Sequence, residues 1–183
     1  PFQRMSLCPE TNPVGNSEDD LIACTFKKYL DSGDTSWPAL LPMTKSVRVA
    51  LDVAQEVFAD EWGMNIKTFT ALGASKRGWT TFLSAAVDDR ITAAIPMVID
   101  MLNLPAHLDL QVAAWGVHSR QIQDYANHGI LSGLDTERGR TLIEIVDPFN
   151  YRSEYDIPML IVLGTNDDYW PVDSANLYYH DLG

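Results

Sequence analysis

Apolar residues recur at helical spacing twice near the start of the chain. Leu21, Cys24, Thr25 and Tyr29 mark a first helix, opened by Ser17 as cap and closed at Gly33. Glu18, Asp19 and Asp20 suit the positive end of its dipole. Trp37–Pro38 to Leu41–Pro42 reads as a turn region. Val47, Leu51, Ala54, Val57 and Phe58 form the stripe of a second helix, capped by Thr44 and ended by Gly63. The period then changes. Residues 66–72 are β-prone and stop at Gly73. A helix is expected from about Ser75 to Val87, followed by the turn Asp88-Asp89-Arg90. Residues 91–99 and 157–163 read as strands buried on both faces. Residues 104–146 look mostly helical, and a last helix begins near Asp173. Residues 1–16 carry three prolines and no clear period, and read as loop.

Strands alternating with helices predict an α/β fold with a parallel sheet. Function in such sheets collects at the carboxyl ends of the strands. Those ends are Gly73 to Ser75, Ile99–Asp100 and Gly164 to Asp168.

The 183 residues are one domain's worth of sequence, with 46% hydrophobic and 21% charged, as in a globular chain. Thirteen basic against 25 acidic residues leave a net charge of -12. Such a surface argues against nucleic acid and anionic membranes as partners. No apolar run is long enough for a membrane span. Two cysteines, Cys8 and Cys24, are too few for a zinc cage, and whether they bond stays open. No metal or cofactor is expected.

The chemistry gathers at Gly73-Ala74-Ser75-Lys76-Arg77-Gly78, between a strand and a helix. A nucleophile there needs a sharp turn flanked by small residues, and Gly73 and Gly78 supply that clearance. The N–H of Lys76 is then free to bind an oxyanion. This is the logic of the Gly-x-Ser-x-Gly nucleophile elbow, with the second glycine one place late. The alternative is that Ser75 merely caps the helix. An acid three residues after Gly164 sits where the carboxylate of a Ser-His-Asp triad would, in the chain order Ser then Asp. Asp167 and Asp168 also read as turn residues, and Asp100 is a rival acid.

Pro42-Met43-Thr44-Lys45, the run from Gly73 through Trp79-Thr80-Thr81, Ala94 to Asp100 with Leu102-Asn103, and Gly164-Thr165-Asn166-Asp167 with Trp170 resemble the PhoPQ-activated pathogenicity-related protein family. The resemblance runs from about Ser17 to the end of the chain. It implies a fold like the α/β-hydrolases, an exported protein (secreted or periplasmic), Ser75 as nucleophile and Asp167 as acid. The shifted glycine also resembles glucuronoyl esterases.

A triad also needs a histidine, which in this fold follows the acid after one more strand. His180 is the one histidine after Asp167, while His107, His118 and His128 read as ordinary helix-surface residues. The early strand–helix loop that gives a second oxyanion donor is also missing. The chain is therefore expected to be an incomplete α/β-hydrolase domain over 1–183, with a helical insert or lid over 101–150. Lys76 and Arg77 either attract an anionic substrate group or pair with acids such as Asp88, Asp89 or Asp100. Trp79 reads as core. Trp115 and Tyr125 suit either helix packing or a pocket wall, and Tyr169 and Trp170 suit a pocket rim. Asp19, Asp20, Asp88 and Asp89 read as solvated turn and cap charges. The expected activity is acyl transfer on a small-molecule, glycan-ester or peptide substrate. The other reading is a catalytically silent, secreted hydrolase-fold protein that binds a partner.

Overall fold

The computed structural model describes Cys8 and residues 17–182. Apart from Cys8, the loop expected over 1–16 lies outside the described residues. The described chain is a mixed α/β structure. Two parallel strands, β1 (Phe69–Ala74) and β2 (Ile91–Met97), pack against the helix at Lys76–Ala85 and leave Leu72 on the other face exposed, with a helical segment between β2 and the C-terminal part.

Helix α1 (Glu18–Ser32) follows its local signals. The Ser17 hydroxyl accepts the N–H of Asp20 at 2.9 Å, and Gly33 turns left-handed at φ 77° to bond the Tyr29 carbonyl. Its inner face buries Ile22, Phe26 and Tyr29. Cys24 is joined to Cys8 by a disulfide, and the pair forms a small cluster with Leu21.

Helix α2 (Leu40–Trp62) departs from expectation at its start and along its stripe. It begins four residues before Thr44, which lies inside the helix and donates to the Leu40 carbonyl at 2.8 Å. Pro42 does not prevent this, because N–H groups in a first turn have no helical partner to lose. The stripe is only half used. Val47 and Leu51 pack partly on the core, while Val57 and Trp62 are exposed. The helix packs chiefly on the segment Lys76–Ala85, and its far half stands clear of the core. There Phe58 and Trp62 pack on each other instead, ring centres 4.6 Å apart.

Strand β1 runs two residues further than predicted, into the turn, and α3 (Lys76–Ala85) follows at once. Strand β2 pairs with β1 from Phe69↔Ile91 to Ala74↔Met97. The segment 157–163 is not the buried strand expected. It lies parallel to β2 through bridges at Met159 and Val162. Ala94 N–H bonds the Pro158 carbonyl, Leu160 N–H the Ala94 carbonyl, and Val162 N–H the Pro96 carbonyl. Pro96 has no N–H to give in the slot between, which interrupts the ladder. Leu160 is 60% exposed, so this segment is covered on one side only.

The segment between is helical, as its composition predicts: α4 (Leu104–Trp115), α5 (Gln123–Asn127), α6 (Ile130–Gly133) and α7 (Glu137–Val146). Asp147 anchors it. Its buried carboxylate accepts the N–H groups of Asn103 at 3.2 Å, Leu104 at 2.7 Å and Phe149 at 2.9 Å. Burial pushes this carboxyl up to about 6, with those three bonds opposing. The last helix expected near Asp173 is two short 3-10 turns, Ser174–Leu177 and Tyr179–Asp181.

Two acids read as solvated are buried. Asp20 lies 2.9 Å from His128 Nε2. Asp88 holds Arg90 through both carboxylate oxygens, at 2.8 and 2.6 Å, and receives Arg48 at 3.3 Å. No described helix is long and apolar enough to cross a membrane.

Candidate active site at the β1–α3 junction

Ser75 is the single residue between β1 and α3, with φ 56° and ψ −131°. Side chains rarely adopt positive φ, and holding one there costs on the order of 1–3 kcal/mol. The surroundings impose it. Ser75 N–H bonds the Met97 carbonyl at 2.8 Å, as the last rung of the sheet, and its own carbonyl accepts from Trp79 N–H at 3.0 Å, as the first turn of α3. One residue thus serves two elements that run in different directions. The clearance expected of the flanking glycines is real. A Cβ on Gly73 would stand 2.5 Å from the Arg77 carbonyl oxygen, and one on Gly78 2.5 Å from Ile99 Cγ2 and 2.9 Å from the Gly73 carbonyl oxygen.

The Ser75 hydroxyl makes no hydrogen bond to any described residue, so it does not cap α3 in the usual way. Lys76 is the first residue of α3, and its N–H has no carbonyl one turn earlier to bond. The two cations beside the serine are neutralised, by partners other than those expected. Lys76 Nζ lies 3.0 Å from Asp19 and 3.6 Å from Glu18, and Arg77 Nη2 bridges both Glu18 oxygens at 2.8 and 2.9 Å. Two basic residues at a helix N-terminus oppose its dipole, and the acids that open α1 offset them. Asp19 therefore belongs to the site, although the dipole of α1 alone explains it in the sequence.

Ser75 and Lys76 open onto a cavity of about 70 Å³. Val98 and Ile99, just past β2, form part of its wall. Helices α4 and α7 and the loop at Tyr169–Trp170 close it. Trp79 lines it as well as packing edge-on against Phe26, and its indole N–H is taken by the Val146 carbonyl at 2.5 Å. Tyr125 is a wall residue, its hydroxyl 3.4 Å from Asp19. Trp115 is exposed and takes no part in the wall. Val98, a β-branched residue, also sits at positive φ, 45°, where the chain leaves β2.

Asp167 sits in the loop after the third parallel segment, its Oδ1 accepting the Tyr169 N–H at 2.8 Å. It does not line the cavity, whereas the buried Trp170, three residues on, does. Asp168 is turned to Gln121, at 2.6 Å. Asp100, at the end of β2, is buried. Burial pushes its carboxyl up to about 6; the Tyr178 hydroxyl opposes this, while the charges of Asp167 and Asp173 add to it. Asp100 and Asp167 are thus close enough to feel each other's charge.

His107 corrects the surface reading. It is fully buried, its ring 5.5 Å from that of Trp170 and 5.9 Å from that of Tyr178, with neither nitrogen hydrogen-bonded. Burial holds it at about 4, so it is neutral at physiological pH. His118 and His180 are exposed, as read from sequence. Among the described residues, no histidine lines the cavity.

The family model of the PhoPQ-activated pathogenicity-related proteins matches residues 1–183, the whole chain. Autocrine proliferation repressor protein A of Dictyostelium discoideum is 39% identical over 172 residues, covering 92% of this chain and 34% of that protein. The chain belongs to the PhoPQ-activated pathogenicity-related protein family, and it spans about a third of the length of the curated relative it matches.

Proposed function

We propose that the protein is a serine hydrolase of α/β-hydrolase type that works by acyl transfer, with Ser75 as nucleophile, Asp167 as orienting acid and Lys76 N–H as one oxyanion donor. The observation that carries this is Ser75 at φ 56° on a strand-to-helix turn, wedged between two glycines that admit no Cβ and opening onto a cavity. A helix cap needs no such strain. Asp167 follows a segment one strand removed from β1, which puts the two strand ends about 10 Å apart. That gap accommodates an imidazole bonded on both sides. The histidine would come from polypeptide outside these 183 residues, since none of the four here reaches the cavity. Helices α4 to α7, within the 101–150 insert, would act as a lid, with Trp170 in the pocket wall and Arg77 at the rim.

In this mechanism the base takes the Ser75 proton as the oxygen attacks the substrate carbonyl, and the helix N-terminus receives the developing negative charge. The disulfide supports export to an oxidising compartment, secreted or periplasmic. A fluorophosphonate probe tests the reading. It should label Ser75 in the full-length protein and fail on Ser75→Ala. A full-length protein that stays unlabelled would overturn it.

The second reading, a catalytically silent binding or signalling protein on the same scaffold, is favoured by the name of the relative, a repressor of proliferation. It predicts an unlabelled Ser75 and a Ser75→Ala variant that keeps full biological effect.

A further inference from the structure

The cavity beside Ser75 has mainly apolar walls, with Tyr125 and Tyr169 among its few lining residues that carry a hydroxyl. Phe26, Leu104, Leu108, Leu142, Ile143 and Val146 reach it from three helices. Its two charged groups, Asp19 and Lys76, lie 3.0 Å apart and offset each other. The indole N–H of Trp79 is already spent on Val146. The buried side-chain polar atoms that lack partners among the described residues, on Asp20, Ser84, Asp100, His107 and Tyr178, belong to residues outside the wall. A sugar entering here would bring hydroxyls, and a peptide its amides, to a surface with almost nothing to bond them, and unpaired polar groups disfavour binding. An alkyl chain has no such need. Each methylene moved from water into such a wall favours binding by about fourfold.

Resting on the serine hydrolase reading, we propose that this cavity is an acyl pocket and that the substrate is a carboxylic ester with a short to medium alkyl acyl chain. The chain lies against α4 and α7, and its carbonyl carbon meets Ser75 Oγ at the mouth. Ser75 Oγ bonds that carbon, the ester C–O bond breaks, and the alcohol leaves with the serine's proton. Water then adds to the acyl-serine, releasing the carboxylic acid and restoring the hydroxyl. About 70 Å³ holds only a handful of water-sized atoms, which sets an upper limit on chain length.

The test uses the full-length protein and p-nitrophenyl acetate, butyrate, hexanoate and dodecanoate. The expected result is a kcat/KM that climbs about threefold or more per added methylene up to butyrate or hexanoate, then falls. Ile143→Phe, at a half-buried wall position, should flatten that rise. A flat profile in a labelled wild-type protein would overturn the acyl pocket and leave the hydrolase reading standing. If Ser75 is not labelled, the ester proposal falls with that reading. Calorimetric binding of hexanol to Ser75→Ala, lost in Ser75→Ala/Ile143→Phe, then separates a real alkyl pocket from none.

Discussion

Gly78 lies so close to Ile99 that a Cβ on the glycine would stand 2.5 Å from Ile99 Cγ2. The contact sets α3 directly against the chain just past β2. Gly78→Ala would gain about 1 kcal/mol of helix propensity. It would meet that side chain and two backbone carbonyl oxygens, and overpacking costs about 1–3 kcal/mol. Because backbone cannot swing aside, the clash should win. Urea unfolding should show net destabilisation, up to about 2 kcal/mol. An unchanged midpoint would mean that α3 slides freely on the sheet.

Asp88 and Arg90 make a second test. The Arg90 hydrogen bonds are the main reason the Asp88 carboxyl sits low, at about 2. The stability this contributes is fully present above about pH 4 and is lost as pH falls through about 2. Asp88→Asn should destabilise the fold at pH 7, because it removes the charge that Arg90 and Arg48 share, while Arg90 keeps Asp52 and Gln55. Unfolding measured from pH 4 to pH 2 should fall more steeply in wild type than in the variant. Parallel curves would rule out Asp88 as the titrating group.

Asp100 should behave in the opposite sense. Its folded carboxyl is raised to about 6, so its contribution is fully present below about pH 4 and is lost as pH rises through 6. Asp100→Asn should therefore be neutral near pH 4 and stabilising at pH 7, by on the order of 1–2 kcal/mol. Destabilisation at pH 7 would show that the ionised carboxylate is held by groups beyond those described.

Reducing the disulfide should also be visible. Cys8 and Cys24 are 16 positions apart, and freeing a loop of that size costs about 3 kcal/mol through the unfolded chain. Cys24→Ala should lower the melting temperature, and dithiothreitol should lower wild type to the same value. A variant indifferent to both would show the bond to be incidental.

Features set by near neighbours are legible in the amino-acid order itself. Ser17 and Gly33 bracket α1 because a cap needs only groups within a turn. Gly73, Ser75 and Gly78 announce the turn at β1–α3 because Gly73 meets Arg77 and Gly78 meets Gly73 within six residues, although the contact of Gly78 with Ile99 is not visible there. Pro96 and Pro158 are equally visible, yet their effect on the third parallel segment emerges only once that segment is laid against β2. Burial of charge is not legible. Asp20 meets His128 108 positions away, Asp88 meets Arg48 40 positions away, and Lys76 meets Asp19 on another helix. His107 reads as a surface residue because its neighbours along α4 are mixed, and the rings of Trp170 and Tyr178 that pack against it lie far along the chain. Helical period says which face of α2 is apolar, but not how much of the fold lies beneath to cover it. Hydrogen bonds within a turn are decided by adjacent residues, whereas desolvation depends on whatever the whole chain brings alongside.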